Sequence, residues 1–203
     1  MLQPNESTAL FNSLRAAFLS HGSTMREFSQ ENMHRIDYND SILKYSDLIN
    51  RGKLMAIYQM AKNDFPNYGG KINHWLITYE VGSHAWRNLD NIKAAKSLFR
   101  YSFDECPYKE IFIAFIVYEL VLMKEYRLAI NYLMETYYRS RDKSNYELAL
   151  EATSIALHNK DMDQAHITYA LFKADGGSQG VLDEYLSNQL DFEIEIWENF
   201  LGT

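Results

Sequence analysis

A short polar turn followed by an alanine recurs four times along the chain, and this recurrence constrains the fold more than any other feature. Gly52-Lys53-Leu54-Met55-Ala56, Asn91-Ile92-Lys93-Ala94-Ala95, Glu125-Tyr126-Arg127-Leu128-Ala129 and Asp161-Met162-Asp163-Gln164-Ala165 share it, with the alanines 39, 34 and 36 residues apart. Four residues after each alanine stands a larger apolar side chain: Met60, Phe99, Leu133 and Tyr169. A period in this range belongs to stacked helical pairs, each burying its face on the next. Alanine suits the point where two helices of a pair cross closely, because a larger side chain would push the axes apart.

Composition agrees with an all-α chain. Only three prolines occur in 203 residues, at 4, 66 and 107, so long stretches carry no helix breaker. Apolar residues make up 47% and aromatics 14%, enough for a packed core and unlike a disordered chain. The run Ile111 to Tyr118 is rich in strand-favouring residues. It continues to Met123 with no second strand to pair with, so it reads as an enclosed helix.

The ends differ from the middle. In residues 1–50, Leu10, Phe11, Leu14, Ala17 and Phe18 form one apolar stripe, Gly22 can close that helix, and Thr24 with Glu27 has capping-box spacing. This segment reads as an N-terminal helical bundle, residues 51–178 as the helical repeats, and 179–203 as a C-terminal capping helix. Along that last helix Leu182, Tyr185, Leu186, Leu190, Ile194, Trp197 and Phe200 trace one face, with Asp183, Glu184, Asp191, Glu193, Glu195 and Glu198 on the outside.

The unit from Leu76 to Lys109 carries Tyr79, Gly82-Ser83, Trp86, Ala95, Phe99, Ser102 and Pro107. In this it resembles the tetratricopeptide repeat, a 34-residue helical hairpin. Units near 110–143 and 146–179 keep part of the pattern: Ile113, Leu120, Ala129 and Leu133, then Ala152, Ala165, Tyr169 and Phe172. The second departs from it at Val117 and Arg141. The resemblance covers about 50–180 and implies a right-handed α-solenoid of stacked antiparallel hairpins. It also implies a concave groove lined by the first helix of each pair. Carried over, that register places Ile77, Glu80, His84 and Arg87 in the groove, then Ala114, Tyr118 and Val121, then Leu150, Ser154 and His158. The lysines, arginines and asparagines with which such repeats grip acidic tails are largely missing. The expected partner is therefore another protein or peptide segment bearing apolar or aromatic side chains.

No catalytic chemistry is legible. The six histidines, at 21, 34, 74, 84, 158 and 166, include no HExxH pair or other metal-ligand spacing. Asn159, Asp161 and Asp163 open like a calcium loop, but Gln164 and Ala170 stand where glycine and glutamate belong. Gly176 to Gly180 lacks the ending of a phosphate loop. Cys106, the sole cysteine, adjoins Asp104 and Glu105, which disfavour a thiolate. The expectation is a binding protein and not an enzyme, with no cofactor and no metal.

An alternative is a transcriptional regulator in which Phe18 to Ser29 begins a helix-turn-helix, with Arg26, Arg35 and Lys44 meeting DNA. Residues 1–50 hold four basic and six acidic side chains, and the whole chain has charge −7, which disfavours nucleic acid. No basic start precedes an apolar stretch, and no run reaches the ~20 apolar residues of a membrane span. A cytoplasmic protein is the expectation. Fifteen tyrosines fit a homodimer as well as wide hairpin packing.

Overall fold

A computed structural model describes residues 45–64, 74–106, 109–139, 146–189 and 191–202. Among them all regular structure is helical. After a helical stretch at 45–50 come α1 (Leu54–Asp64), α2 (His74–Arg87), α3 (Ile92–Glu105), α4 (Lys109–Leu122), α5 (Tyr126–Arg139), α6 (Tyr146–His158), α7 (Met162–Ala174), α8 (Gln179–Ser187) and α9 (Asp191–Leu201). The described residues fall into two compact units, one ending at Phe112 and the other beginning at Ile113.

One turn geometry recurs. Gly52, Lys124 and Lys160 have φ of 66°, 60° and 59°. Around them Lys53 N–H donates to Leu48 O, Glu125 N–H to Leu120 O and Asp161 N–H to Ala156 O, at 2.8–2.9 Å. Within each turn a shorter bond joins Gly52 N–H to Ile49 O, Lys124 N–H to Val121 O and Lys160 N–H to Leu157 O. This paired closure satisfies carbonyls at the helix end that would otherwise lack donors. A longer version closes α2, with Asp90 at φ 51° and Asn91 N–H reaching Ala85 O at 2.8 Å. The following residue starts the next helix. Asn91 and Asp161 cap it, accepting from Ala94 N–H at 3.0 Å and Gln164 N–H at 3.2 Å.

The turn geometry corrects the register of the first repeat. Five residues beyond the left-handed positions 52, 90, 124 and 160 lie Ile57, Ala95, Ala129 and Ala165, all fully buried. Ala56, expected at this point, is only half-buried, because one residue turns a helix by ~100°. Four residues later the equivalents are Ala61, Phe99, Leu133 and Tyr169, with Ala61 in the place expected for Met60. In α1 the large and small residues have exchanged positions.

In the unit ending at Phe112, α2 packs along α3 and α1 packs on both. Gly82 permits the closest approach: a Cβ there would stand 2.8 Å from the Phe99 ring. Ser102 Oγ–H donates to Trp75 O at 2.5 Å, tying the two helices at a buried point. Around this junction Tyr79 lies 5.6 Å from Phe99 and 5.3 Å from Phe112, ring centre to centre.

In the unit from Ile113, α6 is enclosed by α5, α7 and α9, and every residue from Leu148 to Leu157 is buried. The Thr153 and Thr168 hydroxyls meet across α6 and α7 at 2.8 Å. Tyr169 of α7 faces Trp197 and Phe200 of α9. The stretch Ile111 to Tyr118, ambiguous in sequence, lies within helix α4.

The single capping helix expected over 179–203 is two helices, α8 and α9, broken after Ser187. There Ser187 Oγ and Asn188 Nδ2 both donate to Glu184 O, at 2.7 and 2.9 Å. Short polar side chains that bond the backbone locally compete with helix continuation. Glu193, expected on the outer face, is instead buried. Among the described residues no helix is long and apolar enough to cross a membrane.

Candidate functional site

The groove residues expected on α2 separate into core and surface. Ile77 is buried, so no partner reaches it. Glu80 and His84 are half-buried and Arg87 is exposed; at spacings of four and three they share one helix face. His84 is held from both sides: Nε2 lies 3.0 Å from Ser46 Oγ, and Nδ1 lies 3.0 Å from Asn88 Nδ2. Both ring nitrogens are thus engaged by neighbouring side chains. Burial lowers the His84 pKa, which favours the neutral ring. The arrangement fixes the His84 side chain at the surface.

From the other unit, Val121, Leu150 and Ser154 are buried, whereas Ala114, Tyr118 and His158 are half-buried. The resemblance leaves the middle of α6 open to a groove; here α5, α7 and α9 surround it, so Leu150 belongs to the core. His158 lies 5.7 Å from the Tyr126 ring, centre to centre. Beside them the turn at Lys160 forms a shallow depression lined by Arg127, Asn159, Asp161, Met162 and Asp163. Arg127 and Asp161 are 3.8 Å apart there. An exposed ion pair of that kind holds little energy.

Sequence reasoning missed a cluster built by α1, α2 and α3. Glu105 lies 3.5 Å from Lys62 Nζ and 3.4 Å from His74 Nε2. Tyr58 stacks on Tyr101 at 5.4 Å, with the Lys62 ammonium 4.5 Å above its ring. The Tyr58 hydroxyl, then Lys62 and His74, hold the Glu105 carboxyl below its ordinary value, against burial. Burial keeps His74 below the usual histidine value despite Glu105. No spacing in the sequence signals this cluster, since the residues come from three helices.

Several apolar side chains are exposed that no motif marks, among them Tyr138 at 66% and Ile167 at 57%. Cys106 is buried at the end of α3. Among the described residues, no three His, Cys, Asp or Glu side chains converge as a metal ion would require. Arg26, Arg35 and Lys44, the candidate DNA contacts, lie outside the described residues. No family model, curated protein or solved structure matches the chain.

Proposed function

We propose that the chain is a protein-interaction module, an adaptor, chaperone-like holder or regulatory scaffold of the cytosol. In this reading it is not an enzyme, and it binds another protein or peptide segment along the outer faces of its helical pairs. The observation that carries the reading is the recurring left-handed turn at 52, 90, 124 and 160, each leading into a helix whose fifth residue beyond the turn is buried. Repetition of one helical unit supports a tetratricopeptide-like array, in which similar elements present an extended surface. In one unit Glu80, His84 and Arg87 on α2, and in the other Tyr118 and His158, are the expected groove residues left exposed or half-buried, each set taken by itself.

The test is affinity capture of the tagged full chain from native cells, in parallel with the variant Glu80→Lys/His84→Ala/Arg87→Glu. A partner enriched by the parent and lost from a variant of unchanged helicity supports the reading. A parent chain that enriches nothing, or a variant that enriches the same partner equally, refutes it.

A further inference from the structure

We propose that Glu151 is a pH-dependent latch: the C-terminal helices α8 and α9 dock on α6 while its carboxyl is neutral, and its ionisation loosens them. Glu151 is 2% exposed, and neither carboxyl oxygen has a hydrogen-bond partner of good geometry. From α8 the Tyr185 hydroxyl approaches Glu151 and Ser154, yet it too falls short of hydrogen-bond geometry. From α9 comes a second buried carboxyl, Glu193, close enough to act on Glu151. The seam between α6 and the two terminal helices thus concentrates polar atoms that an apolar seam would lack.

The charged groups acting on Glu151 are both acidic: Glu193 from α9 and Glu147 one turn earlier on α6. Among the described residues, α5 and α7 bring no charged group to bear on it, and no lysine or arginine does so. An ionised carboxylate in this place would be buried without a cation and beside a like charge, which is costly. The neutral acid avoids that penalty. Burial first, then Glu193 and Glu147, push the Glu151 carboxyl up to about 8, with the Tyr185 hydroxyl acting the other way.

Docking therefore takes up a proton. Undocked, the carboxyl returns to its ordinary value of ~4.3. Docking is strongest below that value. It weakens by up to ~10-fold per pH unit between there and about 8, then levels off once the docked carboxyl ionises as well. The latch closes on acidification and loosens through the neutral range.

Hydrogen exchange of the full-length protein, corrected for intrinsic rates, tests this. Amides of α8 and α9 are expected to lose at least ~10-fold protection, relative to α3, between pH 5.5 and 7.5. The Glu151→Gln variant is expected to show no such dependence, and Tyr185→Phe to keep it. A flat profile in the parent, or a sloping one in Glu151→Gln, overturns the proposal. Should Glu151→Gln fail to fold, the parent itself decides. A carboxyl resonance of Glu151 titrating at or above pH 6 upholds the latch, and one titrating below pH 6 removes it.

Discussion

Gly82 of α2 lies flush against Phe99 of α3, so close that a methyl group at position 82 would stand 2.8 Å from the ring. Glycine in a helix interior is unfavourable by roughly 0.5–1 kcal/mol relative to alanine. That makes the interhelical contact the reason for its presence. Gly82→Ala is expected to destabilise the protein by about 1–3 kcal/mol in denaturant unfolding, because the fully buried Phe99 cannot move aside freely. Combining it with Phe99→Leu should recover part of the loss. A more stable Gly82→Ala protein would show that the ring yields.

Register within the repeats makes a second prediction. Ala95→Leu, Ala129→Leu and Ala165→Leu should each lower stability by about 1–3 kcal/mol, since all three methyl groups are fully enclosed. Ala56→Leu, at a half-buried position, should change it by no more than ~0.5 kcal/mol. Ile57→Ala should cost about 2–5 kcal/mol. Equal effects at 56 and 57 would contradict the alignment of the turns.

The turn after α7 behaves similarly. A Cβ on Gly177 would meet the Phe172 ring at 2.2 Å, and that ring is fully buried beside Tyr146 and Tyr169. Gly177→Ala is expected to cost about 1–3 kcal/mol. Near-UV circular dichroism should report the disturbed aromatic packing.

His74 gives the acid side of the stability profile. Burial holds its folded pKa below the ordinary ~6.5, so the unfolded chain binds a proton more readily. Its contribution is complete above pH 6.5 and is lost as pH falls from there towards the folded value. Melting temperature in the parent should therefore decline from pH 7 to pH 5 more steeply than in His74→Gln. Parallel profiles would exclude His74 as the source.

Much of the helical framework is legible in the sequence because it is local. Asn91 and Asp161 announce helix starts by type alone, and the alanines at 95, 129 and 165 mark buried positions through a spacing near 34 residues. Ala56 stands one position short of the buried register because the turn, with Gly52 at its left-handed position, sets that register and not the nearest alanine. The break after Ser187 has no sequence signal, because the apolar stripe from Leu182 to Ile194 runs past it unbroken. Ile77, Val121 and Leu150 differ from the expected groove for another reason. A repeat pattern gives periodicity, whereas exposure depends on which helix covers the face, as α9 covers part of α6. The Lys62–His74–Glu105 cluster and the Glu151 seam are tertiary associations with no linear signature.

Three of the left-handed turns carry side chains: Asp90, Lys124 and Lys160 all have φ between 51° and 60°. An L-residue held there gives up roughly 1–2 kcal/mol, less for aspartate, which tolerates the conformation better. The chain therefore folds with unclaimed thermal headroom at its own joints. Glycine at 124 and 160 should raise the melting temperature by a few degrees without touching a single interhelical contact.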